Sequence, residues 1–107
     1  MKKFSFLLIF FLSLFKPVMS QTDTIRIRTS AQCETCKKTI ESDLSFERGV
    51  KKTDLNLDNK ILTVVYNPDK TDPRKIRIAV TKSGYDADTL KADPKAYKRL
   101  PDCCKKP

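Results

Sequence analysis

Thr24-Ile25-Arg26-Ile27-Arg28-Thr29 runs through Ser30-Ala31-Gln32 into Cys33-Glu34-Thr35-Cys36, and the change of pattern across this stretch decides the fold. Ile25 and Ile27 alternate with Arg26 and Arg28, the two-residue period of a strand with one buried face. From Cys33 to Phe46 the period changes: Cys36, Ile40 and Leu44 recur every fourth position, with Lys37, Lys38, Glu41 and Asp43 on other faces, as in an amphipathic helix. A C-x-x-C pair therefore falls where an extended segment gives way to the first turn of a helix. A helix N-terminus leaves backbone N–H groups unpaired and carries a partial positive charge, and both favour thiolate over thiol. Two thiols at that junction read as a metal site or a redox site, against the alternative of buried structural thiols or a short-range disulfide.

Outward from this junction, Gly49 ends the helical unit and permits a turn. Val50 to Leu57 alternates, with Thr53, Leu55 and Leu57 on one side and Lys52, Asp54 and Asn56 on the other. Asp58-Asn59 reads as a two-residue hairpin turn, and Ile61 to Tyr66 as its partner strand with Leu62, Val64 and Tyr66 inward. The other face of that strand shows Ile61 and Val65, as expected of a central strand or a covered patch. Asp72-Pro73 starts a second helix, Asp as N-cap and Pro at the first helical position. Ile76, Ala79, Val80 and Ser83 form its buried stripe, Ile78 lies off it, and Gly84 stops it. Tyr85 to Leu90 reads as a weakly patterned fourth strand. The order strand, helix, strand, strand, helix, strand predicts an α+β, ferredoxin-like βαββαβ sandwich, an antiparallel four-stranded sheet with both helices on one face. Right-handed crossovers put the first and third strands in the centre.

At 107 residues the chain has room for one domain with a small core. Lys2 and Lys3 precede an apolar run from Phe4 to Phe15, and Val18-Met19-Ser20 offers side chains that a signal peptidase tolerates, so residues 1–20 read as a signal peptide cleaved after Ser20. The run is too short to span a bilayer as a helix, which takes about 20 residues, and Lys16 closes it. No Cys follows it, which argues against a lipid anchor. The expected mature chain is exported, soluble and monomeric, in the periplasm or outside the cell. Lys2, Lys3 and Lys16 leave with the leader, so 22 basic residues fall to 19 against 13 acidic ones, a net +6. The charges are interspersed, as on an ordinary solvated surface.

Export changes how the four cysteines read, because exported thiols become disulfides unless a metal or a reductant holds them. The chain has no His, and both Met residues lie in the leader, so any soft-metal site in the mature chain must be built of thiolates. Asp93-Pro94 repeats the cap signature and opens a short helix with Ala96, Tyr97 and Leu100 on one edge; Pro101 stops it, and Cys103-Cys104 follow. Neighbouring cysteines are poorly placed to bond each other. They therefore serve either as additional thiolates for an ion at Cys33 and Cys36 or as disulfide partners of that pair, and both readings stand.

With these landmarks in order, the sequence resembles the heavy-metal-associated domain family of copper chaperones, metal-pumping ATPase modules and periplasmic mercury-binding proteins. The resemblance rests on Cys33 and Cys36 in the loop-to-helix position, Gly49-Val50, Asn67-Pro68-Asp69-Lys70 and Lys82-Ser83-Gly84-Tyr85. It divides the mature chain into a heavy-metal-associated domain over residues 21–91 and a C-terminal extension over 92–107. It implies that Cys33 and Cys36 bind one soft ion and pass it by ligand exchange to a membrane metal transporter or another metal-binding protein, without catalysis. Two sulfurs suit Cu(I) or Hg(II), whereas Zn(II) favours four ligands. The chain departs from the family at Ser30-Ala31-Gln32, where a Met usually plugs the loop from below. Tyr85 matches a residue that lies near the site in family members, and it also fits a plain core role.

Three other readings compete with this one. A thiol-disulfide oxidoreductase would also place C-x-x-C at a helix start, but this strand order lacks the parallel βαβ core of that group; a disulfide-stabilised interaction domain is the other alternative. RNA-recognition domains share the element order, yet the expected solvent face of the sheet holds Arg26, Arg28, Ile61, Thr63 and Val65 and no aromatic residue for base stacking, so no nucleic-acid partner is expected.

Overall fold

The computed structural model describes residues 21–106, so the expected leader, residues 1–20, lies outside the described residues. Strand β1, Asp23–Arg28, buries Ile27 and turns Arg26 and Arg28 to solvent. Helix α1, Glu34–Ser45, has Cys33 as its N-cap and buries Cys36, Ile40 and Leu44, the stripe set by the four-residue spacing. Strands β2, Val50–Asn56, and β3, Ile61–Tyr66, follow as an antiparallel hairpin. The sheet order is β1-β3-β2, with Leu62 opposite both Ile27 and Leu55. The inward residues Ile27, Leu55, Leu62 and Val64 share one core with the buried stripes of α1 and of helix α2, Pro73–Lys82.

Local chemistry fixes the boundaries. Asp72 caps α2 by accepting the Lys75 N–H at 2.9 Å, with Pro73 in the first turn. Gly49 sits at φ +85°, and a Cβ there would lie 2.9 Å from Thr71 Cγ2, so both conformation and space require glycine. The edge strand β2 is covered in part by α1, whose Glu41 Oε2 accepts the Leu55 N–H at 3.1 Å.

One expectation is corrected and one is met in reduced form. The hairpin turn is the four-residue segment Leu57–Lys60 rather than Asp58-Asn59 alone, because pairing ends at Asn56 opposite Ile61. Asn56 and Asn59 side chains accept the Asp58 and Ile61 N–H groups, and Lys60 takes φ +62° to close the turn. The segment Tyr85 to Leu90 does not form a full fourth strand. It meets β1 through one antiparallel bridge, Thr29 to Ala87, because Asp88 turns to φ +53° and Ala87 pairs back onto Leu90. The Asp88 carboxylate then accepts the Arg28 N–H at 2.9 Å, while the Asp88 N–H donates to the Arg28 carbonyl at 2.8 Å. The segment still lies beside β1, so the first and third strands are central as the ferredoxin-like topology requires.

Beyond this core the chain folds back. The Asp93 N–H donates to the Thr81 carbonyl at 2.9 Å, and Asp93 caps helix α3, Pro94–Lys98, by accepting the Ala96 N–H at 3.0 Å. Gly84, at φ +106°, lets this segment cross close over the end of α2: a Cβ would lie 3.1 Å from the Ala96 carbonyl oxygen and from Leu100. Ala96 and Leu100 are buried, and burial of a leucine side chain stabilises by about 1.5–3 kcal/mol, which offsets part of the entropy cost of ordering the tail. A 3-10 turn, Asp102–Cys104, follows beside the N-terminus of α1.

Candidate metal centre

Cys33 and Cys36 lie one helical turn apart at the start of α1, so their sulfurs face the same side, 3.2 Å from each other. Cys36 is fully buried and Cys33 is partly open. The tail then delivers the second pair of sulfurs. The 3-10 turn is closed by the Cys104 N–H on the Pro101 carbonyl at 2.9 Å, and it sets Cys103 Sγ 3.1 Å and Cys104 Sγ 3.5 Å from Cys33 Sγ. Cys103 and Cys104 sulfurs are 3.8 Å apart, and all four cysteines are free thiols. Cys33 is thus the hub, within hydrogen-bond distance of each of the other three. The sulfurs of Cys33, Cys103 and Cys104 all lie within 4.8 Å of one another, close enough to share one ion.

These contacts set the ionisation order. Cys33 is held down at about 6, first by hydrogen bonding with the Cys103 thiol, then with the Cys36 thiol and the Cys36 backbone N–H. As a thiol Cys33 can donate to Cys103; once ionised it can only accept, and its neighbours then stabilise the thiolate. Cys103 is raised, chiefly because it must give its proton to Cys33, and burial pushes Cys104 up strongly. The cluster therefore offers the Cys33 thiolate at neutral pH and keeps Cys103 and Cys104 protonated until an ion displaces their protons.

Tyr85 is fully buried behind the cluster, and its hydroxyl makes no well-formed hydrogen bond. Burial, followed by the nearby Cys104 and Cys36 thiols, keeps its proton on. It is a buried donor without a committed acceptor, next to sulfurs that become acceptors when they ionise. Ala31 is also fully buried, and the same core cluster takes in Tyr85, Leu100 and Cys104.

A ring of polar contacts ties the tail down. Gln32 Nε2 donates to the Lys105 carbonyl at 3.2 Å, the Lys106 N–H donates to Tyr97 Oη at 2.9 Å, and Lys106 Nζ pairs with Asp86. Asp86 also accepts the Ala92 N–H at 2.9 Å, and its own N–H donates to Ser30 Oγ at 2.9 Å. Burial raises Asp86, but Lys106 and the Ala92 N–H outweigh it and hold the carboxyl below its ordinary value. The structure thus brings together all four cysteines picked out from the sequence and sets Tyr85 among them. The sequence reading missed Asp86, Lys106 and Gln32, whose pairings span many positions and leave no local signature.

The heavy-metal-associated domain model matches residues 30–86, which include the first cysteine pair and stop short of the tail. The chain is 31% identical over 70 residues to the mercuric transport protein periplasmic component of Acinetobacter calcoaceticus, covering 64% of this chain and 77% of that one. It is 35% identical over 54 residues to the copper chaperone CopZ of Staphylococcus epidermidis, covering 50% and 79%. A similar segment, 34% identical over 62 residues and 58% of this chain, spans only 4% of copper-transporting ATPase 1 of Rattus norvegicus. Among solved structures, oxidised MerP from Ralstonia metallidurans superposes with a TM-score of 0.60 at 25% identity, covering 64% of this chain and 96% of that one. Since the matched segment takes up more than half of the sequence and carries the β1-to-α1 cysteine junction, this chain belongs to the heavy-metal-associated domain family, a domain that binds metal ions and is not itself catalytic.

Proposed function

We propose that this protein is an exported carrier or scavenger of a soft metal ion, Cu(I) or Hg(II), held on the thiolates of Cys33 and Cys36 and passed on by ligand exchange. The observation that carries the reading is the pair of free sulfurs 3.2 Å apart at the N-terminus of α1, inside the segment that matches the family. Thiolates are soft donors that select Cu(I) and Hg(II) over hard cations, and Cys33 is already ionised near neutral pH. Zn(II) is the weaker candidate because it favours four ligands in a tetrahedron. In transfer, an incoming thiolate adds to the ion as one of the carrier's sulfurs leaves, and the departing sulfur regains a proton from water.

The layout proposed for the chain is a leader over residues 1–20, a metal-binding domain over 21–91 and an extension over 92–107. Similarity to a periplasmic mercuric transport component supports export, and similarity to part of a copper-transporting ATPase supports a membrane metal transporter, or another metal-binding protein, as partner. Anaerobic titration of the reduced chain from Gln21 onward with Cu(I), Hg(II) and Zn(II), beside a Cys33→Ser variant, tests the reading. Binding of Cu(I) or Hg(II) well below micromolar, weakened in the variant, is expected. Failure to bind either ion tighter than micromolar contradicts it.

A further inference from the structure

The tail sulfurs are nearer to Cys33 than a passive extension needs to bring them. Cys103 Sγ is as close to Cys33 Sγ as Cys36 Sγ is, 3.1 against 3.2 Å. The group whose sulfurs all lie within reach of a single ion is Cys33, Cys103 and Cys104, and it does not include Cys36. We infer that the C-terminal segment is a built-in ligand arm: docked, it completes a three-sulfur site on Cys33, Cys103 and Cys104; undocked, it leaves the ion on the Cys33–Cys36 pair for transfer. This rests on the soft-ion reading above and adds the form in which the ion is stored.

Three independent features support the arm. The first is backbone geometry: the 3-10 turn Asp102–Cys104 presents neighbouring sulfurs to one side, 3.8 Å apart, so both can reach the same ion. The second is anchorage. Leu100 packs over Gly84, Gln32 holds the Lys105 carbonyl, and Lys106 is held by Asp86 and by Tyr97 Oη. These latches flank the cysteines on both sides, yet apart from Leu100 they are exposed or part-buried polar contacts, each worth little alone. Such an arm is ordered and still able to leave. The third is the buried Tyr85 hydroxyl, which has no hydrogen-bond partner and neighbours Cys104 and Cys36, as a donor reserved for an ionised sulfur would.

The charge and proton balance is simple. Loading one ion on three thiols displaces the protons still bound to them, which go to solvent. Release needs no redox step: the two arm sulfurs leave and take up protons, and Cys36 gives up its proton to become the second ligand. Because the arm is tethered, it competes with an incoming thiolate at a high effective concentration, and this raises retention by on the order of a hundredfold when geometry allows. The arm thereby favours holding the ion until a partner displaces it.

The test is X-ray absorption at the mercury edge on the anaerobically reduced chain from Gln21, loaded with one equivalent of Hg(II), beside Cys103→Ser/Cys104→Ser and Cys36→Ser variants checked for folding by circular dichroism. Three sulfurs around the ion are expected in the parent and in Cys36→Ser, and two in the double variant. The rate of Hg(II) loss to a competing dithiol should rise at least tenfold in the double variant. Two sulfurs in the parent, with binding intact, overturn the arm and leave the carrier reading standing. Loss of a sulfur in Cys36→Ser also overturns the three-sulfur site. No binding in the parent overturns both.

Discussion

Cys33 carries most of the chemistry because three sulfurs converge on it. The largest of the influences holding it at about 6 is Cys103, a residue seventy positions away in sequence, so the low value depends on the docked tail. Alkylation of the metal-free, reduced protein checks this. Cys33 is expected to react with a midpoint near pH 6, with Cys103 and Cys104 reacting only in more alkaline solution, and Cys103→Ala is expected to move the Cys33 midpoint upward. The sign is fixed by the cause: removing a donor to the thiolate disfavours the charged form. Tyr85 gives a second expectation. An unpartnered buried hydroxyl costs about 1–3 kcal/mol, so Tyr85→Phe should stabilise the metal-free protein by about 1 kcal/mol in denaturant melts. The same variant should bind the ion more weakly, since it takes away a donor beside the ligating sulfurs. The four cysteines were legible as residues, because with no His and both Met within the first 20 residues, nothing else in residues 21–107 is a soft ligand. Their mutual distances were not, because they arise from tertiary packing.

At the scale of elements, β1, α1, β2, β3 and α2 follow from hydrophobic period, caps and glycines, and the structure places each within a residue or two of where the pattern does. The local departures from the pattern share one physical origin: non-glycine residues at positive φ. Lys60 carries no signal of that conformation in its side chain and Asp88 only a weak one, yet Lys60 lengthens the hairpin turn and Asp88 shortens the fourth strand to a single bridge. The docking of α3 depends on the crossing at Gly84. Gly84→Ala is therefore expected to strain the backbone, push on Leu100 and free the tail, costing about 1–3 kcal/mol in denaturant melts while the sheet and α1 persist. A rise in protease cleavage within residues 92–106, with the rest of the chain resistant, would show it. Lys106→Met breaks the Asp86 ion pair but keeps the backbone contact to Tyr97, and should loosen the tail by less than about 1 kcal/mol. Asp86 has a lowered folded value, so its contribution is full above the ordinary carboxyl value of 3.8 and fades as pH falls through the folded value. Tail protection in hydrogen exchange should decline only in that acid range.

For the whole molecule, the family fold supplies a small rigid frame and an open two-sulfur site at its edge, and this chain adds an extension beyond the matched segment, which ends at residue 86. Family membership and topology could be read from spaced landmarks, because the fold constrains the turns that carry them. The role of the extension could not, since disulfide and metal readings use the same cysteines. Among the described residues the four thiols are free and clustered, the arrangement a thiolate site needs. The most direct measurement is a competition titration of the anaerobically reduced chain with Hg(II) and Cu(I) against a chelator of known affinity, run with a Cys33→Ser variant because Cys33 is common to both sulfur sets. The account predicts one ion per chain, bound well below micromolar, with affinity falling in acid as protons compete for Cys33, and a loss of at least a hundredfold in Cys33→Ser. Full affinity in Cys33→Ser, or no binding tighter than micromolar in the parent, would contradict it.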